Sequence, residues 1–144
     1  MNAPALEARG VTRAFKVKAG LFSRARVLTA VNDVSLAVPR GSVVGLVGES
    51  GCGKTTLARM MLGLLAPSTG EIRFDGDLAG ALPRKDVARR VQPVFQDPYS
   101  SLNPRKTVRS IISLPLRVHG VGSSEEQERR CRQYRECHAN EAYG

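Results

Sequence analysis

The sequence predicts an α/β fold in which β structure leads into a strand, a glycine-rich loop and a helix. Three observations carry this. The run SVVGLVG holds Val43, Val44, Leu46 and Val47, the continuous apolar pattern of a buried parallel strand. GESGCGKTT follows at residues 48–56, rich in glycine and ending in lysine and two threonines. Leu57, Met60, Met61, Leu64 and Leu65 then recur at helical spacing until Pro67, which is expected to stop the helix.

The flanking elements follow from the same rules. LEARGVTRAF reads as a first strand, and VSLAV alternates Val34, Leu36 and Val38 inward with Ser35 and Ala37 outward. Between them KVKAGLFSRAR is basic and reads as an exposed loop or hairpin end, while Pro39-Arg40-Gly41 is a turn. After the helix, PSTG turns and EIRFDG alternates again, with Ile72 and Phe74 on one face and Asp75-Gly76 closing the strand. A short helix is expected after Pro83, and VQPVFQDP suggests a short apolar strand broken at Pro98.

The 144 residues suit one domain, with length enough for a core. No apolar run approaches the roughly 20 residues of a membrane span, and the N-terminus lacks a basic-then-apolar leader, so a cytosolic protein is expected. Cys52, Cys131 and Cys137 have neither disulfide nor zinc spacing, which suits reduced thiols; His138 beside Cys137 is not read as a metal site. The net charge of +9 admits nucleic acid, anionic lipid or nucleotide partners. Aromatic residues are only 5% and are not interleaved with the basic ones, so no nucleic-acid partner is expected.

The loop carries the chemistry. Gly48-x-x-x-x-Gly53-Lys54-Thr55 fits the phosphate-binding template in full. Phosphate must lie against bare N–H groups, so Gly48, Gly51 and Gly53 keep side chains out of the way, and successive N–H groups form an anion nest. Lys54 offers a charge to the β- and γ-phosphates and Thr55 a hydroxyl to Mg²⁺. A helix opening directly after the loop adds its own attraction for phosphate. Cys52 occupies a variable position of the loop, where a small residue fits.

In this order the motifs resemble the ATP-binding subunit of ABC transporters, from about Leu6 to Val121. VFQDP is similar to the Q-loop of that family, with Gln96 as its glutamine, and VFQDPYSSLNPRKTV together with the basic insertion resembles the oligopeptide/dipeptide (peptide/nickel) importer subfamily. The resemblance implies the N-terminal part of a P-loop NTPase domain: an antiparallel β subdomain, a RecA-like strand–loop–helix, and the start of a helical subdomain from Asp97 to Pro104. It implies ATP held by Gly48, Glu49, Ser50, Gly51, Cys52, Gly53, Lys54, Thr55 and Thr56, with Phe15 stacked on adenine. Thr55 and Gln96 would touch Mg²⁺, and Lys54 and Gln96 would belong to an incomplete catalytic set. Implied partners are membrane permease subunits and a second ATP-binding subunit, head to tail, on the inner face of the membrane. Phe15 also suits a core or surface aromatic, Gln96 a strand-end polar residue, and Arg105, Lys106 and Arg109 a solvated basic face.

Phosphoryl transfer also needs a second acidic hold on Mg²⁺ and a group that orients water. The family supplies these from an apolar strand ending in Asp-Glu and a histidine, along with an LSGGQ-type signature; none follows Gln96. Residues 122–144 contain no Val, Ile, Leu, Met or Phe. Ser123 and Glu126 fit a capping box, and Glu125 with Arg129 and Glu128 with Arg132 are i,i+4 pairs, yet no apolar stripe is evident. Residues 1–121 therefore read as a partial ATP-binding domain and 122–144 as an atypical polar tail, from a truncated or frame-disrupted copy or from a small protein with a disordered tail. The expected function is the ATP-binding subunit of a peptide importer. The alternatives are a nucleotide-binding fragment that does not hydrolyse and a nucleic-acid-associated P-loop protein.

Overall fold

The computed structural model describes residues 3–18, 26–95, 97 and 102–139. The chain divides into two compact units, 1–93 and 94–144.

The first unit is built on an antiparallel hairpin. Strand β1 (Leu6–Val17) pairs with β2 (Arg26–Val38), and its other edge takes β3 (Thr69–Phe74), which pairs with β4 (Asp77–Leu78). The order across the sheet is β2-β1-β3-β4. Val34, Leu36 and Val38 are half-buried and Ser35 and Ala37 exposed, as the alternation requires. β2 starts well before VSLAV, at the edge of the basic insertion, of which residues 19–25 lie outside the described residues. Asp75 (φ 54°) and Gly76 (φ 90°) make the tight turn between β3 and β4, the two positive φ values of a type I′ hairpin turn.

Helix α1 (Lys54–Met61) lies on this sheet, burying Leu57 and Met60. These join Ala8, Val11, Val31, Ile72 and Phe74 in one core, with Leu6, Val34, Leu65 and Val87 packed around it. The helix ends sooner than expected: Gly63 (φ 68°), not Pro67, stops it. The Leu64 N–H reaches the Arg59 carbonyl at 2.9 Å and the Gly63 N–H reaches that of Met60 at 2.9 Å, the paired bonds of a Schellman cap. Helix α2 (Arg84–Arg90) follows Pro83 as expected, and Arg90 ties it to the hairpin through Asp77 at 2.8 Å.

Two expected strands do not form. Ser42–Val47 pairs with none of the described strands, and Val43 and Val47 are 99% and 93% exposed. A buried parallel strand needs neighbours on its edges and cover on both faces; the sheet here is the antiparallel one, and it leaves this run outside. The described part of VQPVFQDP is likewise without strand structure, with Val94 97% exposed.

The second unit is a helix pair. Helix α3 (Val108–Val118) is capped by Thr107, whose hydroxyl accepts from the Ser110 N–H at 3.2 Å. Arg105 and Lys106 are exposed, while Arg109 pairs with Glu128 at 2.8 Å. The polar segment forms α4 (Ser124–Ala139), and the Ser123 hydroxyl accepts from the Glu126 N–H at 3.3 Å, half of the expected capping box. The Glu126 carboxylate turns instead to Arg129 and Arg130, each at 2.8 Å. An apolar contact was missed in sequence: Cys131 is 3% exposed, beside Ile112, Pro115 and Leu116. A small thiol among charged residues does not register as a stripe, yet it buries like a hydrophobe.

The hydrogen bonds from Arg130 and Arg129 hold the Glu126 carboxyl below its ordinary range. A depressed carboxyl stabilises the fold above its unfolded pKa, and that contribution disappears as pH falls through the folded value. α4 should therefore lose helicity as pH drops below the ordinary glutamate range, and Glu126→Gln should flatten that acid limb of a circular-dichroism titration. An unchanged titration in the variant would remove Glu126 from the account.

Candidate functional site: the glycine loop at the start of α1

The loop from Gly48 to Gly53 connects the exposed apolar run to α1. Its curl rests on Gly51 (φ 82°) and Gly53 (φ 95°), conformations that side chains resist. Glu49 accepts from the Cys52 N–H at 3.4 Å across the turn. Lys54 folds back over the loop: its Nζ donates to the Gly48 carbonyl at 2.7 Å and the Glu49 carbonyl at 2.5 Å, with Cys52 Sγ at 3.6 Å. The ammonium thus sits inside the curve of the loop. The first bond of α1 runs from the Leu57 N–H to the Gly53 carbonyl at 2.9 Å. Helix geometry leaves the N–H groups of Lys54, Thr55 and Thr56 without partners inside the helix.

Gly53 is seated on β2. The register sets Arg13 opposite Val31 and Ala14 opposite Thr29, so Ala30 is the extra residue of a β-bulge. A Cβ on Gly53 would stand 2.1 Å from the Ala30 carbonyl oxygen and 3.4 Å from Val31 Cγ2. The motif shows the glycine but not the bulge that it meets. A cavity of about 450 Å³ runs beside the loop, lined by Ala30, Asn32, Leu46, Cys52, Lys54 and Leu57 among others.

Triphosphate and Mg²⁺ suit these residues. A Cβ on Gly51 would meet nothing within 4 Å, so the outer side of the loop has room for an anion. The loop from Gly48 to Cys52 and Thr55 are exposed, leaving Glu49, Ser50 and the Thr55 hydroxyl open to a ligand, while Lys54 and Thr56 are half-buried. Phe15 lies on β1 opposite Leu28, with the Arg13 guanidinium 4.8 Å from its ring centre. Gln96 lies outside the described residues. Among the described residues, no three His, Cys, Asp or Glu side chains are grouped to hold a metal, and no helix is long and apolar enough to cross a membrane.

A glycine loop closed over by a lysine, beside an antiparallel sheet, is the architecture of an ATP-binding cassette, and the chain belongs to the ABC transporter family, whose pattern matches residues 31–142. Among its relatives, the oligopeptide transport ATP-binding protein AppF of Bacillus subtilis is 44% identical over 127 residues, covering 85% of this chain and 39% of that protein. A putative peptide import ATP-binding protein of Brucella ovis is 39% identical, over 90% of this chain and 40% of its own length. The glutathione import ATP-binding protein GsiA of Salmonella choleraesuis is 41% identical, over 88% of this chain and 21% of its own. The chain thus spans about two fifths or less of these relatives. Its structure is similar to the dimeric ATP-binding cassette MJ0796 in a post-hydrolysis state bound to ADP and Pi. The TM-score is 0.66 at 26% identity, over 89% of this chain and 54% of that one.

Proposed function

We propose that this chain binds Mg-ATP at Gly48–Thr56 and is the nucleotide-binding part of an ABC importer for oligopeptides or dipeptides. The observation that carries the reading is the loop itself, curled at Gly51 and Gly53 around the Lys54 ammonium. Lys54 would exchange its carbonyl partners for the β- and γ-phosphates. The backbone N–H groups from Glu49 to Thr56 would hold the remaining phosphate oxygens. Thr55 and Gln96 would ligate Mg²⁺, which neutralises phosphate charge when bound. Phe15 would stack on the base. Partners would be permease subunits and a second ATP-binding subunit, with the assembly peripheral to the cytoplasmic face of the membrane. Residues 1–121 would form the partial ATP-binding domain and 122–144 a segment that departs from it.

A second reading is binding without turnover by these 144 residues taken alone: Lys54 and Gln96 would supply positioning and charge, and no Asp-Glu pair occurs among them. Equilibrium binding of a fluorescent ATP analogue to the full chain, with phosphate release followed in parallel, tests both. Lys54→Ala should weaken binding about 10- to 150-fold, the range of a charge-assisted hydrogen bond. Retained affinity in that variant would discard the site. Steady phosphate release lost in Lys54→Ala would discard the second reading.

A further inference from the structure

Arg13 has no role in the loop, yet its surroundings are specific. Its guanidinium carbon lies 4.8 Å from the centre of the Phe15 ring, and its Nη1 donates to the Ala66 carbonyl at 2.9 Å. Its Nε is buried without a partner. Arg13 is therefore fixed between the ring and the turn that follows α1.

The register places this pair. Arg13 faces Val31 and Phe15 faces Leu28 across the hairpin. Directly opposed residues share a face, as do positions two apart on a strand. Arg13 and Phe15 thus share the face of Val31, which is buried under α1 and meets the seat of Gly53. Leu28 is two positions along β2 from Ala30, about 7 Å at strand rise. The aromatic ring therefore lies on the side of the sheet that carries the phosphate loop, a short step from its last glycine.

We infer that Arg13 is a positioning residue that covers one face of the Phe15 ring and fixes that ring as a one-sided platform for the purine base. The inference rests on the proposed stacking of Phe15. A cation held over one face attracts the ring's π electrons and keeps it in place. The ring is then set before the nucleotide arrives, which removes an ordering cost from binding. Because Arg13 also grips Ala66, the platform is tied to the end of the helix that the loop opens.

The test compares ATP with inorganic tripolyphosphate, which has the phosphates but no base, on the full chain in the presence of Mg²⁺. Arg13→Ala should weaken ATP about 2- to 5-fold, the range of an exposed cation–π contact, and leave tripolyphosphate unchanged. Arg13→Lys should recover part of the loss. Equal weakening of both ligands would make Arg13 merely structural and overturn the inference. Phe15→Ala separates the two claims. If it weakens ATP alone while Arg13→Ala does nothing, the platform stands and Arg13 is discarded. If it changes neither ligand, the stacking itself fails and the inference falls with it.

Discussion

Gly53→Ala is expected to destabilise the first unit and abolish nucleotide binding together. A methyl group at Gly53 would stand 2.1 Å from the Ala30 carbonyl oxygen, at a backbone φ of 95°. The left-handed conformation costs about 1–2 kcal/mol and the overlap with packed backbone about 1–3 kcal/mol. Relief requires the loop to lift from the β2 bulge, which displaces Lys54 and the first N–H groups of α1 from the curl of the loop. Gly51→Ala is the control: its φ is 82°, but the new methyl meets nothing within 4 Å. It should show the conformational cost alone. Urea denaturation of both variants decides the point, and equal midpoints would show that the bulge does not seat the loop.

Phe74→Ala should have the largest effect on stability. The ring is fully buried at the end of β3, and a Cβ on Gly63 would be 3.9 Å from it, so it fills the space beneath the turn that ends α1. Removing a buried phenyl group costs about 3–5 kcal/mol, and a small domain holds only about 5–15 kcal/mol in all. The variant is expected to lose a large part of that stability and to unfold at a much lower urea concentration. Phe74→Leu, which keeps most of the volume, should remain folded with a lowered midpoint. A midpoint for Phe74→Ala within 1 M urea of the parent would contradict this packing account, since roughly 1–3 kcal/mol accompanies each molar step.

What could be read from sequence was whatever local chemistry decides. The glycine loop was legible because each residue type in it answers to phosphate. Ile72 and Phe74 were legible because period-two alternation survives when one face is buried. The paired positive φ values at Asp75 and Gly76 were implicit in an Asp-Gly pair. What failed depended on partners. Val43 to Val47 has the composition of a buried strand, but burial is supplied by neighbours, and the described residues provide none. Gly63 ended α1 ahead of Pro67 because a left-handed cap is set by backbone hydrogen bonds that composition does not record. The seat of Gly53 on the Ala30 bulge, and the burial of Cys131 by α3, are long-range facts. The helical reading of 124–139 was available from Ser123 and Glu126, but not the contact that anchors it.

The exposed run Ser42–Val47 has a consequence for every titration of this chain. It ends at Gly48, the first residue of the phosphate loop, so whatever holds the run also holds one end of the loop. An exposed apolar run favours contact with other copies as concentration rises. Self-association and nucleotide affinity are then thermodynamically linked, each shifting the other by the same factor. The apparent dissociation constant for ATP should drift with protein concentration and settle only at high dilution. Val43→Lys with Val47→Lys, which charges the run and leaves the loop untouched, should remove that drift.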